Sequence, residues 1–264
     1  MIKTAAQKVY IALIFIFMYA PIATLIVLSF NASRSRAKWG GFTTKWYVEL
    51  FSNQEIMQAL YNTLLIALLS AVIATLIGTI AALSIQGMKK KNRAVLMGIT
   101  NIPILNAEIV TGISLMLLFL TFRAKFGFTT ILLSHITFNI PYVILSIMPK
   151  LRQMDKNLVD AAQDLGCTWM QAFWKVVVPE IKPGIVNGLL IAFTMSVDDF
   201  VISYFTAGST TANLAMRIYA MTKKRISPEV NAISTLLFAT VLILLIVINL
   251  REASQEKAAR KLRR

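Results

Sequence analysis

The sequence predicts an all-α integral membrane protein, and three observations carry that prediction. Of its 264 residues 57% are hydrophobic, and the mean hydropathy is +0.67, where soluble domains hold roughly 45–50% apolar residues. Apolar windows of about 20 residues, the length a helix needs to cross the hydrocarbon layer, recur between charged segments. Nearly all the charge sits in the gaps between those windows, although 27 Lys and Arg stand against 12 Asp and Glu. A nucleic-acid partner is therefore not expected, because it requires a basic face with aromatic readers.

Six windows qualify, at Val9–Phe30, Met57–Ile85, Ala94–Phe122, Thr129–Met148, Pro183–Phe205 and Val230–Leu250. The first follows Lys3 and Lys8 as a signal peptide would. It is longer than the roughly 7–15 apolar residues of a signal core and no small-residue cleavage site follows, so it reads as a retained span. Pro103 and Pro141 fall inside the third and fourth spans and predict kinks there. The tail "REASQEKAARKLRR" has a basic end suited to anionic lipid headgroups. With no internal repeat or low-complexity segment, residues 1–264 read as one membrane domain.

Placing both termini in the cytoplasm puts 17 of the 27 basic residues inside, the orientation that the positive-inside rule favours. The single cysteine, Cys167, excludes an internal disulfide. No G-x-x-x-x-G-K-[ST] phosphate loop, metal-ligand motif or nucleophile elbow occurs, so the chain is expected to be no enzyme and to bind no cofactor itself.

The loop at 155–179 is the least loop-like of the inside gaps. Leu158, Ala161, Ala162, Leu165 and Trp169 recur at helical spacing, which predicts a short amphipathic helix flanked by Asp160 and Asp164. Gly166 breaks it, and a second short helix from Trp169 to Lys175 is expected to stop at Pro179. Trp169, Phe173 and Trp174 are expected to pack beneath the bundle and stiffen this knob.

Asp160, Ala161, Ala162, Gly166, Val176, Val178 and Pro179 stand at the spacing of the Glu-Ala-Ala, Gly, Ile-x-Leu-Pro signature of ABC importer permeases. Asp replaces Glu and Val replaces Ile and Leu. With six spans, "FTTKWYVELF" and "NTLLIALLSAVIATLIGTIAA", the whole chain resembles the spermidine/putrescine permeases. The resemblance implies a type I ABC importer permease fold in a bacterial inner membrane, with Asp160 to Gly166 as a coupling helix. It implies a heterodimer with a homologous permease, two ATP-binding subunits that hold ATP and Mg, and a periplasmic polyamine-binding protein.

Three acids fall within the six spans, Glu108, Asp198 and Asp199. A carboxylate at the bilayer centre costs about 2.5–3.5 kcal/mol on insertion scales, so such residues face a cavity or a partner by default. Glu108 stands 14 residues beyond Ala94 and Asp198 15 beyond Pro183. At about 1.5 Å per residue, straight helices put both about 21–23 Å from the cytoplasmic start. No basic residue lies at that level, and a protonated polyamine supplies the missing cation. Asp198 and Asp199 point about 100° apart on a helix, so one is expected to face the path and the other to accept hydrogen bonds from a neighbouring helix. Ser196, Trp46 and Tyr204 complete the candidate substrate site, the aromatics through cation–π contacts, and His135 reads as a hydrogen-bonded packing residue. The rival readings are an ion-coupled carrier in which these acids relay protons, an ABC permease for another solute, and a scaffold that moves nothing.

Overall fold

The computed structural model describes residues 2–33, 38–155, 157–209, 211–224, 228–240, 242, 243 and 246. They form helices α1 (Ile2–Ser29), α2 (Lys45–Ser52), α3 (Gln54–Gly87), α4 (Lys90–Leu105), α5 (Glu108–Thr121) and α6 (Phe128–Gln153). After these come α7 (Asn157–Asp164), α8 (Trp169–Ala172), a π-helical turn (Phe173–Val177), α9 (Val178–Asp198), α10 (Val201–Thr206) and α11 (Leu214–Lys224). Residues 228–240 are again helical. Among the described residues the one β feature is an isolated bridge between Asn31 and Phe42.

Four of these helical runs are long and apolar enough to cross a membrane: Gln7–Ser29, Gln54–Gly87, Phe128–Gln153 and Trp169–Asp198. The expected third span is no simple kinked rod, because α4 and α5 make a crossing only as a pair bent by 102°. The expected fifth span begins earlier, at Trp169, runs through the π turn, and breaks after Asp198. Of the sixth window the helix at 228–240 is described, while most of the remainder, with the tail at 251–264, lies outside the described residues.

The chain divides into two compact units, Met1–Met57 with Ile218–Arg264, and Gln58–Arg217. In the first, Asn31 organises the turn between α1 and α2. Its Oδ1 accepts from Gly40 N at 2.8 Å and Ser33 N at 3.1 Å, while its Nδ2 donates to Lys38 O at 3.0 Å. From Val9 to Tyr19 the apolar side chains of α1 are exposed, Phe17 at 83%, a surface that belongs against lipid or another chain rather than water.

In the second unit α6 packs against α9 and α3 around Val143, Ile144, Ile147, Ala74, Ala82 and Ile181. Lipid tails are as apolar as these side chains, so burial alone does not drive helices together, and close approach with dispersion contacts does. Small residues permit that approach. A Cβ on Gly184 would stand 3.1 Å from Ile147 Cα, one on Gly188 3.2 Å from Val143 Cγ1, and one on Gly78 2.7 Å from the same methyl. Buried polar groups add ties across the helices: Ser196 Oγ meets Ser70 Oγ at 3.0 Å and accepts from Asn139 Nδ2 at 2.8 Å.

Candidate functional site

Two breaks in the apolar helices bring the membrane acids together. α4 carries Pro103 in its last turn and ends at Asn106 and Ala107, both in extended backbone (ψ 147° and 135°). Proline removes a helical donor and encourages such an ending. Glu108 is then the first residue of α5, where a carboxylate suits the positive end of the helix dipole. The depth expected from a straight span therefore does not apply to Glu108.

The second break follows α9. Asp199 is extended at φ −63° and ψ 124°, and its carboxylate turns forward to cap α10. Its Oδ1 accepts from Ile202 N at 3.2 Å and its Oδ2 from Ser203 N at 2.8 Å, satisfying donors that a new helix would otherwise leave unpaired. Asn213 Nδ2 donates to the Asp199 carbonyl at 2.8 Å. Asp199 is thus buried at 8% exposure, and the adjacent Asp198 is exposed.

Gly112 lets α5 lie against α10: a Cβ there would stand 3.0 Å from Phe205 Cδ2 and 3.5 Å from Val201 O. Glu108 is four residues earlier, on the same face of α5. Consequently Asp198 comes within electrostatic reach of Glu108, and Glu108 within reach of Tyr142 on α6. Glu108 and Asp198 are both exposed, and neither forms an ion pair with any described residue. Tyr204 on α10 is 52% exposed, its ring 5.4 Å from that of Phe200.

Three other expected site residues have packing duties. Trp46 lies in the first unit at 3% exposure, its Nε1 donating to Asn31 O at 2.7 Å, so its ring offers cargo no open face. Ser196 spends its hydroxyl on Ser70 and Asn139 inside the helix packing. Asp199 is used by the α10 cap and does not reach the surface. Tyr142, its ring 5.2 Å from that of Phe138, comes within electrostatic reach of Glu108, a proximity set by the broken path of the chain that no local pattern in the sequence announces.

The loop at 155–179 forms the expected knob with one change. α7 buries no residue, leaving Asp160 and Ala161 exposed and Ala162 half-buried. It ends in a Schellman turn: Gly166 at φ +88°, Gly166 N donating to Gln163 O at 2.8 Å and Cys167 N to Ala162 O at 3.0 Å. Thr168 and Gln171 cap α8 reciprocally. Pro179 does not stop the second helix. The π turn at Phe173–Val177 shifts the hydrogen-bond register just before it, and Pro179 sits in the first turn of α9, where a missing N–H is tolerated. Of the knob aromatics only Phe173 packs on the core, while Trp169 and Trp174 are each 62% exposed.

Residues 74–264 match the family described as "Binding-protein-dependent transport system inner membrane component". The chain belongs to this family of inner membrane transport components. Within it, the chain is 37% identical over 90% of both chains to the spermidine/putrescine transport system permease protein PotC of Escherichia coli (strain K12). It is 36% identical to the putrescine transport system permease protein PotI of the same organism, over 91% of this chain and 88% of that one. A bacterial alginate ABC transporter solved in complex with an alginate pentasaccharide-bound periplasmic protein shares the fold, with a TM-score of 0.70 at 17% identity, covering 94% of this chain and 92% of that chain. A binding-protein-dependent permease family favours the importer reading over an ion-coupled carrier.

Proposed function

We propose that this chain is a permease subunit of an ATP-driven importer that moves polyamines, spermidine or putrescine, from periplasm to cytoplasm by alternating access. The observation that carries the reading is the pair of exposed carboxylates, Glu108 and Asp198, within electrostatic reach of each other at two helix breaks, neither ion-paired with any described residue. Two negative groups in a water-filled path attract a cargo whose amines carry the complementary charge, and Tyr204 adds a ring for a cation–π contact. Modest affinity is sufficient, since a cargo held by every group would not leave.

The exposed position of these acids calls for a homologous permease to close the path from the other side. A periplasmic polyamine-binding protein delivers the cargo. Two ATP-binding subunits hold ATP and Mg, and α7 docks onto one of them through Asp160, Ala161 and Ala162, with Gly166 shaping the end of the lever and Pro179 seating the next helix. Both termini face the cytoplasm, the residues 1–264 act as one permease domain, and the basic tail rests on lipid headgroups.

Uptake of labelled polyamine by vesicles reconstituted with the complete complex tests the reading. Unlabelled spermidine and putrescine are expected to compete and neutral amino acids are not. Uptake that persists without ATP hydrolysis and collapses with an uncoupler overturns it.

A further inference from the structure

His135 lies on α6, 2% exposed, among the buried polar residues of the bundle. Its Nε2 stands 3.3 Å from Asp199 Oδ2 and 3.0 Å from Ser203 Oγ. A carboxylate only accepts hydrogen bonds, so the Nε2 hydrogen belongs on the side of Asp199 and Ser203. Asp199 thereby receives one donor from α6 beside its two from the backbone of α10. Its carbonyl, freed by the end of α9, is taken by Asn213, whose own Oδ1 accepts from Met216 N at 2.8 Å. Leu214 N in turn donates to Thr63 Oγ1 on α3 at 2.8 Å. α6, α10 and the segment before α11 therefore converge on the residue next to Asp198, and α3 holds that segment through Thr63.

We propose that His135 is a positioning residue for transport: its Nε2 donates to Asp199, fixes the break between α9 and α10, and so sets where the Asp198 carboxylate stands relative to Glu108. The inference rests on the reading of Glu108 and Asp198 as cargo-binding groups. The physical reason is leverage. A helix break has two soft residues, and a buried hydrogen bond from a separate helix removes the freedom that backbone caps alone leave at Asp199. Packing without the donor fills the space and leaves the angle of the break undetermined.

The test compares two amides in the complete reconstituted complex. Glutamine places its side-chain nitrogen near the Nε2 position of histidine and asparagine falls short of it, while both are polar and similar in packing. H135N is expected to raise KM for labelled putrescine about tenfold with the maximal rate within about threefold, and H135Q to keep KM within about threefold of wild type. Equal KM values in the two variants overturn the proposal. D198N is run beside them: wild-type uptake in D198N sinks the cargo-binding reading instead. A measurement independent of cargo uses D198C in a C167S background, modified by a cationic thiol reagent. H135N is expected to change that rate about tenfold and H135Q to restore it; identical rates in both overturn the positioning role even where uptake is lost.

Discussion

Gly112 faces Phe205 across the contact of α5 with α10, so close that a Cβ on Gly112 would lie 3.0 Å from Cδ2 of the ring. This contact carries Glu108 to Asp198, since each acid borders one of the two helices. G112A is expected to be tolerated with a small loss, because an aromatic edge has some freedom to give. G112V forces the helices apart at a cost of about 1–3 kcal/mol and is expected to reduce uptake strongly while the permease still assembles. Uptake and complex yield, measured on the same preparations, decide it; G112V with normal uptake removes the contact from the argument.

Asp198 and Asp199 are expected to fail in different ways. D198N leaves the fold alone and raises KM for polyamine by about tenfold, the loss of one charged contact. D199N disturbs an acceptor of two backbone donors and His135, lowering stability by about 1–3 kcal/mol. Thermal unfolding of the purified complex beside uptake kinetics separates the two, and interchanged phenotypes would refute the assignment.

Gly184 meets backbone as well as side chain, with its virtual Cβ 3.1 Å from both Ile147 Cα and Ser146 O. Backbone cannot swing aside as a side-chain tip does. G184V is therefore expected to lower the unfolding midpoint of the detergent-solubilised protein, by about 1–3 kcal/mol in stability, more than V186A at a half-exposed site two residues on. An unchanged midpoint in G184V argues against this packing.

The knob predicts a loss of partner binding without loss of fold. Leu165 is 87% exposed at the end of α7, where an apolar side chain of that size suits a docking cleft. L165E is expected to abolish co-purification of the ATP-binding subunit while leaving yield unchanged. G166V, forced to hold φ +88°, adds about 1–2 kcal/mol of backbone strain and is expected to weaken the same association. Full ATPase recovery with L165E would place the docking surface elsewhere.

Much of the helical plan was legible because a membrane span announces itself locally: about 20 apolar residues between charges need no knowledge of neighbours. The knob was legible for a similar reason. Gly166 and the helical spacing of Leu158, Ala161, Ala162 and Leu165 describe one short helix and its terminating turn within a dozen residues. Pro179 misled because a proline reads as a stop, whereas the π turn before it supplies a register in which its absent N–H goes unneeded.

Composition and residue order alone fix an apolar, helical chain whose charge lies between spans and whose three acids sit where uncompensated charge is costly. It took the folded arrangement of helices to commit Asp199 to a helix cap and His135, to pack Ser196 and Trp46 away, and to leave Asp198 and Glu108 exposed within electrostatic reach of each other. Apolar periodicity is a property of neighbours along the chain. The fate of a carboxylate depends instead on which backbone donors and which second helix reach it, and those come from segments such as 135 and 213 that no local pattern ties to 199.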